Sequence, residues 1–255
     1  MTTAAPAAHH ALAVLGLLSR HTEPLPAATI ARSLGLPRST TYHLLAVLEG
    51  HGYVVHLPEV HRYGLGVAAF ELGSAYQRQA PLQRLARPIL TRLVDETRHN
   101  AHFAVLHGAD VLYLVEERAP RRPSLVTDVG VRLPAQVTAS GLAMLAALPA
   151  AQVRALFPSR DAFVQRHGLG PTSLAQLRSE LTRVRARGYA AEEDSVTPGF
   201  ASVAAAVLDH GSHPVAAFAL TWESQQVAET EVPALVAAVQ SSAAALSRRV
   251  GRARP

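Results

Sequence analysis

The chain has 255 residues, a net charge of +5 from 24 basic and 19 acidic side chains, and no cysteine. That length has room for one large domain or two ordinary ones, each able to bury a core. The missing cysteines exclude disulfides, thiol catalysis and cysteine-type zinc sites. All 24 basic residues are arginine, which also excludes lysine Schiff-base and pyridoxal chemistry. No apolar run approaches the roughly 18 residues of a membrane span. No basic segment precedes the first apolar stretch, so neither an anchor nor a secretory signal is expected.

The elements follow in chain order. Residues 8–21 predict an amphipathic helix, with Leu12, Leu15 and Leu18 at helical spacing and Val14 and Leu17 widening the face. Pro26 opens a short second helix and Gly35 ends it. Pro37 starts a third, which stops near Gly50 to Gly52, and VVHLPEVHRYGLG reads as a hairpin. Residues 67–80 are helical again, and Pro81 marks a boundary before a long helix over about 82–99. Beyond it, AHFAVLHGADVLYLVEE predicts two strands around Gly-Ala-Asp, and SLVTDVG predicts another. SGLAMLAALPA and AAQVRALF predict short helices, and SLAQLRSELTRVRARG a longer one ending at Gly188. FASVAAAVLDHGSHPVAAFALTW predicts a hairpin of two apolar strands, and VPALVAAVQSSAAALSRRV a closing helix. The fold class expected is α+β: an N-terminal winged helix-turn-helix, a linker helix and a C-terminal domain with an antiparallel sheet. The expected boundaries are 8–66, 67–81 and 82–252.

Three helices and a hairpin form a winged helix-turn-helix, whose third helix enters the major groove of double-stranded DNA. In 100° steps, Thr41, Leu44, Leu45 and Leu48 fall on the inner face of that helix. Ser39, Tyr42, His43 and Ala46 fall opposite, with Arg38 in the first turn. Hydroxyls and an arginine at a helix N-terminus suit phosphate contact, and arginine is the commonest guanine reader. The expected DNA-binding residues are therefore Arg38, Ser39, Thr40, Tyr42, His43 and, on the wing, Arg62. Residues 1–80 hold only five Arg against four Glu, so binding there rests on shape and polar groups more than on phosphate neutralisation. The same pattern also fits a protein-docking module.

The segments GLPRSTTYHLLAVLEGHGY, RYGLG, RLPAQVTASGLAMLAAL, RGYAAEEDSVTPGFASVAAAVLD and PVAAFAL occur in this order over essentially the whole chain. Together they resemble the isocitrate-lyase regulator (IclR) family of bacterial transcription factors. The resemblance implies a GAF-related effector domain, and dimers or dimers of dimers on an operator under control of a small molecule, frequently an organic or aromatic acid. The family's ligand-contacting positions fall on Leu125, Leu133, Ala139, Ser140, Glu192, Phe200, Ser202, Ala219 and Thr221. The sequence departs from the family pattern at His10 and His43, where arginine is usual. It departs again at Gln136, Leu142, Ser202, Ala206, Ala219 and Trp222. Ser140 opens a predicted helix whose free N–H groups attract carboxylate, and alternation turns Phe200, Ser202 and Thr221 to one face. Glu192 beside an acidic ligand is repulsive unless it is protonated or bonds a ligand hydroxyl, so it implies a hydroxylated effector or an outward-facing side chain.

Other constellations carry less. His99, His102 and His107 include two His three apart but fix no third metal ligand. His51, His56 and His61 read as an exposed wing, and Glu192-Glu193-Asp194 as a solvated acidic run. There is no Gly-x-Ser-x-Gly frame and no phosphate loop, so no catalytic residue, metal or cofactor is expected. The reading is a ligand-responsive regulator in the bacterial cytoplasm, associated with the nucleoid and not with a membrane. The alternative is a small-molecule sensor or enzyme whose N-terminal domain docks proteins.

Overall fold

The computed structural model describes residues 5–79, 81–122 and 127–252. The chain divides into two compact units, residues 1–80 and 81–255.

The first unit contains α1 (Pro6–Leu18), β1 (Leu25–Pro26), α2 (Ala27–Leu34), α3 (Arg38–Gly50), β2 (Val54–Leu57), β3 (Arg62–Leu65) and α4 (Val67–Gln79). Val14, Leu17, Leu18, Ile30, Leu45, Leu48 and Val54 bury one core between the three helices and the hairpin. α2 stops at Gly35, whose left-handed φ of 64° costs least without a Cβ. Pro37 then starts α3, and Thr41, fully buried, returns its hydroxyl to the Pro37 carbonyl at 3.1 Å. Two expectations change. Leu12 is 69 % exposed, because Val14, Leu17 and Leu18 set the buried face of α1. The wing also has a third strand: Leu25 and Pro26 pair with Tyr63 and Arg62, giving the order β1-β3-β2.

The second unit is built on a six-stranded antiparallel sheet. Its helices are α5 (Pro81–Thr97), α6 (Ala139–Ala147), α7 (Ala150–Leu156), α8 (Leu174–Arg187) and α9 (Val232–Arg252). Its strands are β4 (Asn100–His107), β5 (Asp110–Glu117), β6 (Arg132–Pro134), β7 (Ala190–Glu193), β8 (Phe200–Leu208) and β9 (Pro214–Glu223), in the order β6-β5-β4-β9-β8-β7. Alternation along the strands feeds two cores. Ala104, Tyr113, Ala204, Ala217 and Ala219 pack with α6, α7 and α8. Phe103, Val203, Val207, Phe218, Leu220 and Trp222 pack with α5 and α9.

One expectation changes here, and one strand appears where no element was expected. In SLVTDVG, residues 124–126 lie outside the described residues, and 127–130 form a turn. The Asp128 side chain accepts from Val129 N at 2.7 Å, its carbonyl accepts from Val131 N at 3.1 Å, and Gly130 is left-handed. The strand begins later, at Arg132. Residues 190–193 form β7, because their backbone pairs with residues 201–204 of β8. The α+β class, with a helix-turn-helix followed by an antiparallel-sheet unit, matches expectation.

Candidate functional site

On the outer face of α3, Arg38, Ser39, Tyr42, His43 and Ala46 are exposed and Thr40 is half-buried. This face starts at a helix N-terminus, where the first-turn N–H groups have no intrahelical acceptor. Arg62 stands at the start of β3. Its Nη1 donates to Glu23 Oε2 at 3.4 Å and to the Pro24 carbonyl at 3.3 Å, which holds it toward the segment before β1. His56 stacks on Tyr63 with ring centroids 4.5 Å apart, whereas His51 and His61 are exposed.

In the second unit, strand register brings several candidate residues into one line. Thr221 of β9 lies opposite Asn100 of β4 and Ser202 of β8, and Ser202 lies opposite Glu192 of β7. In the next line Ala219 lies opposite His102 and Ala204. α6 crosses this face by its N-terminal end. Thr138 caps it, its hydroxyl accepting from Gly141 N at 3.0 Å. Gly141 has no alternative there, because a Cβ would stand 2.1 Å from the Ala135 carbonyl oxygen.

Sheet and helix enclose a cavity of about 20 Å³, room for about one water. Its walls include Ala139, Ser140, Glu192, Phe200, Ser202, Ala219 and Thr221 from the expected set. Leu125 lies outside the described residues. Leu133 is not a wall residue: from β6 it pairs with Val111 of β5 and is buried in the core. His102, weighed from sequence only as a metal ligand, completes the walls with Tyr113, Thr127, Thr138, Val196 and Thr197, which escaped the sequence reading. His102 lies in a β4 run buried at nearly every position and Tyr113 at an inward position of the apolar stretch of β5, so neither carries a local signal that separates a cavity wall from core.

Ser202 and Thr221 share a hydrogen bond of 3.0 Å. Glu192 accepts from Ser195 N at 3.2 Å, so the acidic run is not uniformly solvated: Glu192 turns inward and Glu193 outward. Burial raises the Glu192 carboxyl to about 7, against the opposing pull of hydrogen bonds from Ser202, Ser195 N and Val196 N. His102 is 1 % exposed, with Nε2 3.4 Å from Thr127 Oγ1. Burial and then the charge of Arg118 lower its pKa to about 4, so the ring is neutral. The Tyr113 phenol is raised by burial and by Glu192, while Ser140 acts in the opposite sense. His102 Nδ1 and Ser140 Oγ are buried and complete no hydrogen bond of good geometry. His99 packs beside Trp222, His107 Nδ1 is 3.1 Å from Arg132 Nη1, and His102 faces the cavity, so the three do not converge. Among the described residues no three His, Cys, Asp or Glu side chains gather as a metal site.

A helix-turn-helix unit and a separate unit with a small polar cavity define a class: DNA-binding regulators that answer to a small molecule. Residues 7–58 match the IclR helix-turn-helix domain, and residues 74–248 match the bacterial transcriptional regulator IclR C-terminal domain. The chain belongs to the IclR family of transcriptional regulators and binds DNA under control of an effector bound by its C-terminal domain. It is 34 % identical to the glycerol operon regulatory protein of Streptomyces coelicolor, over 96 % of both chains. It is 30 % identical to the HTH-type transcriptional regulator XynR of Escherichia coli, over 94 % of this chain and 95 % of that one. In fold it is similar to a Silicibacter IclR regulator structure, with a TM-score of 0.84 at 22 % identity over 98 % of both chains. It is also similar to a Microbacterium hydrocarbonoxydans IclR homologue solved with 4-hydroxybenzoate, with a TM-score of 0.78 at 21 % identity over 97 % of this chain and 100 % of that one. Among the described residues no helix is long and apolar enough to cross a membrane.

Proposed function

We propose that the effector is a small hydroxy acid held in the cavity between α6 and the sheet, and that the protein acts on its operator as a non-enzymatic homodimer or dimer of dimers in the bacterial cytoplasm, at the nucleoid. Residues 8–66 would form the DNA-binding domain, 67–81 the linker and 82–252 the effector domain. The carrying observation is Glu192, which faces the cavity with its carboxyl raised to about 7. A carboxyl at that value bonds a ligand hydroxyl in either protonation state and, when protonated, tolerates a ligand carboxylate. The first turn of α6 supplies N–H donors for that carboxylate. The 4-hydroxybenzoate bound to the Microbacterium homologue has both groups. Because the ligand-free cavity holds about 20 Å³, such a ligand binds only as the walls part.

Arg38, Ser39, Thr40, Tyr42 and His43 form the DNA-reading face, with Arg62 released from Glu23 to flank it. Dimerisation is supported by Leu12, Val67, Phe70 and Leu72 of the first unit, which are 69 %, 67 %, 75 % and 61 % exposed. A second reading, a neutral polyol, is favoured by the described cavity walls, which include no cationic side chain.

Ser202→Leu tests the site. It should abolish the effector's influence on operator binding and leave ligand-free DNA affinity intact, and a normal ligand response would overturn the assignment. The pH dependence separates the two readings. A hydroxy acid needs Glu192 protonated, so its affinity falls as pH rises through about 7, whereas a neutral polyol binds equally well on both sides.

A further inference from the structure

His102 Nδ1 is buried at the effector cavity with no protein hydrogen-bond partner among the described residues, whereas Ser140 Oγ is approached by the Tyr113 hydroxyl. Both residues are 1 % exposed. Buried polar groups are almost always paired, and an unpaired one destabilises the fold, so His102 Nδ1 at a cavity wall points to a missing partner.

We infer that His102 is a specificity-determining residue that recognises the carboxylate end of the effector. This rests on the hydroxy-acid reading and fixes which way round the ligand lies. The Thr127 hydroxyl has no other acceptor among the described residues than His102 Nε2, at 3.4 Å. Donation from Thr127 to Nε2 places the ring proton on Nδ1 and makes Nδ1 a donor. The Tyr113 ring meets His102 edge-on at 5.7 Å, and Ser140 follows at the start of α6. This wall thus offers donors: Nδ1–H, two hydroxyls, and the N–H groups of Ala139 and Ser140 in the first helical turn.

The opposite wall is different in kind. Ser202 and Thr221 already satisfy each other, and Glu192 is the group with capacity for a ligand hydroxyl. A wall of donors selects an acceptor, so the carboxylate faces His102 and Ser140 while the hydroxyl faces Glu192. The cation lies one layer back. Arg118 pairs with Glu116 Oε2 at 2.8 Å and Asp128 Oδ2 at 3.5 Å, and Glu116 is the β5 partner of His102. Arg118 is thus neutralised by two carboxylates and is not a cavity wall residue, so the donors of the wall itself carry the selection.

The test uses full-length protein and three probes, glycolate, 3-hydroxybutyrate and 4-hydroxybenzoate, each beside its amide. Binding is read by calorimetry and ligand-free stability by thermal melting, both at pH 6. His102→Leu removes an unmet polar group but also takes the acceptor from the Thr127 hydroxyl, two opposed effects that should leave its melting temperature close to that of wild type. Its affinity for the acids should fall by about tenfold, and the preference for acid over amide should fall with it. His102→Asn puts an amide nitrogen near the Nδ1 position and should stay within about threefold of wild type. Two results overturn the inference: an unchanged acid-to-amide ratio in His102→Leu, or early melting of both variants, which would make His102 a structural residue. If wild type binds none of the acids, the hydroxy-acid reading and this inference fall together. If wild type binds them and His102→Leu matches it, only this inference fails.

Discussion

Glu192→Gln is the sharpest probe of the cavity, because the ionisation of one carboxyl links fold stability to pH. Its pKa rises from 4.5 in the ordinary state to about 7 in the folded protein. A carboxyl raised in this way is bound more tightly to its proton when folded. Its contribution to stability is fully present below pH 4.5 and is lost as pH rises toward 7. At roughly 1.4 kcal/mol per pH unit, the full difference is about 3 kcal/mol. Partial solvent contact trims this to about 2 kcal/mol. Glutamine keeps the shape and one acceptor but never ionises. In urea titrations of ligand-free protein between pH 4.5 and 8.5, Glu192→Gln should flatten the wild-type decline and exceed wild type at pH 8. Parallel pH profiles, or a variant less stable than wild type at pH 8, would refute the reasoning.

Three further outcomes follow from other parts of the molecule. Arg38→Ala should weaken specific operator binding by about 1–3 kcal/mol if the side chain reads a base. If it touches only phosphate, gel-shift assays should show a uniform loss and a salt slope lower by about one. Gly141→Ala should cost about 3 kcal/mol or more, read as a drop in the urea midpoint, because its methyl group would meet the Ala135 carbonyl and neither is on a flexible side chain. Light scattering at micromolar concentration should find at least a dimer, and footprinting an inverted repeat; a monomer on one short asymmetric site would count against the exposed apolar residues of the first unit as contacts between copies.

Much of the fold was legible because local signals agreed with the tertiary ones. The inner face of α3, the glycine stops after α2 and α8, and the β8–β9 hairpin all follow from spacing and turn residues. The exceptions share a cause. Leu25-Pro26 becomes a strand only because Tyr63 and Arg62 come alongside, and two residues have no period to read. Ala190–Glu193 is made of good helix formers and becomes β7 because β8 has a free edge there. In the cavity, resemblance and alternation together identified Ser140, Ser202, Thr221 and Glu192, but Glu192's direction was open until register placed it opposite Ser202. His102 sits on a strand buried on both faces over most of its length, and Tyr113 on the buried side of an alternating one, where a cavity wall and a core wall have the same sequence texture.

The sheet of the second unit has a mechanical consequence. Gly141 lies hard against Ala135, so the start of α6 has little room to retreat when a ligand larger than one water enters. The strands carrying Ser202, Thr221 and His102 must then yield, and their reverse faces bear Val203, Leu220 and Phe103, packed against α5 and α9. With the effector bound as proposed, the sheet would act as a diaphragm, turning pressure from the effector on one side into displacement of the helices on the other. α5 is the first element after Ala80, where the DNA-binding unit ends, so that displacement arrives at the point where the chain passes from one unit to the other.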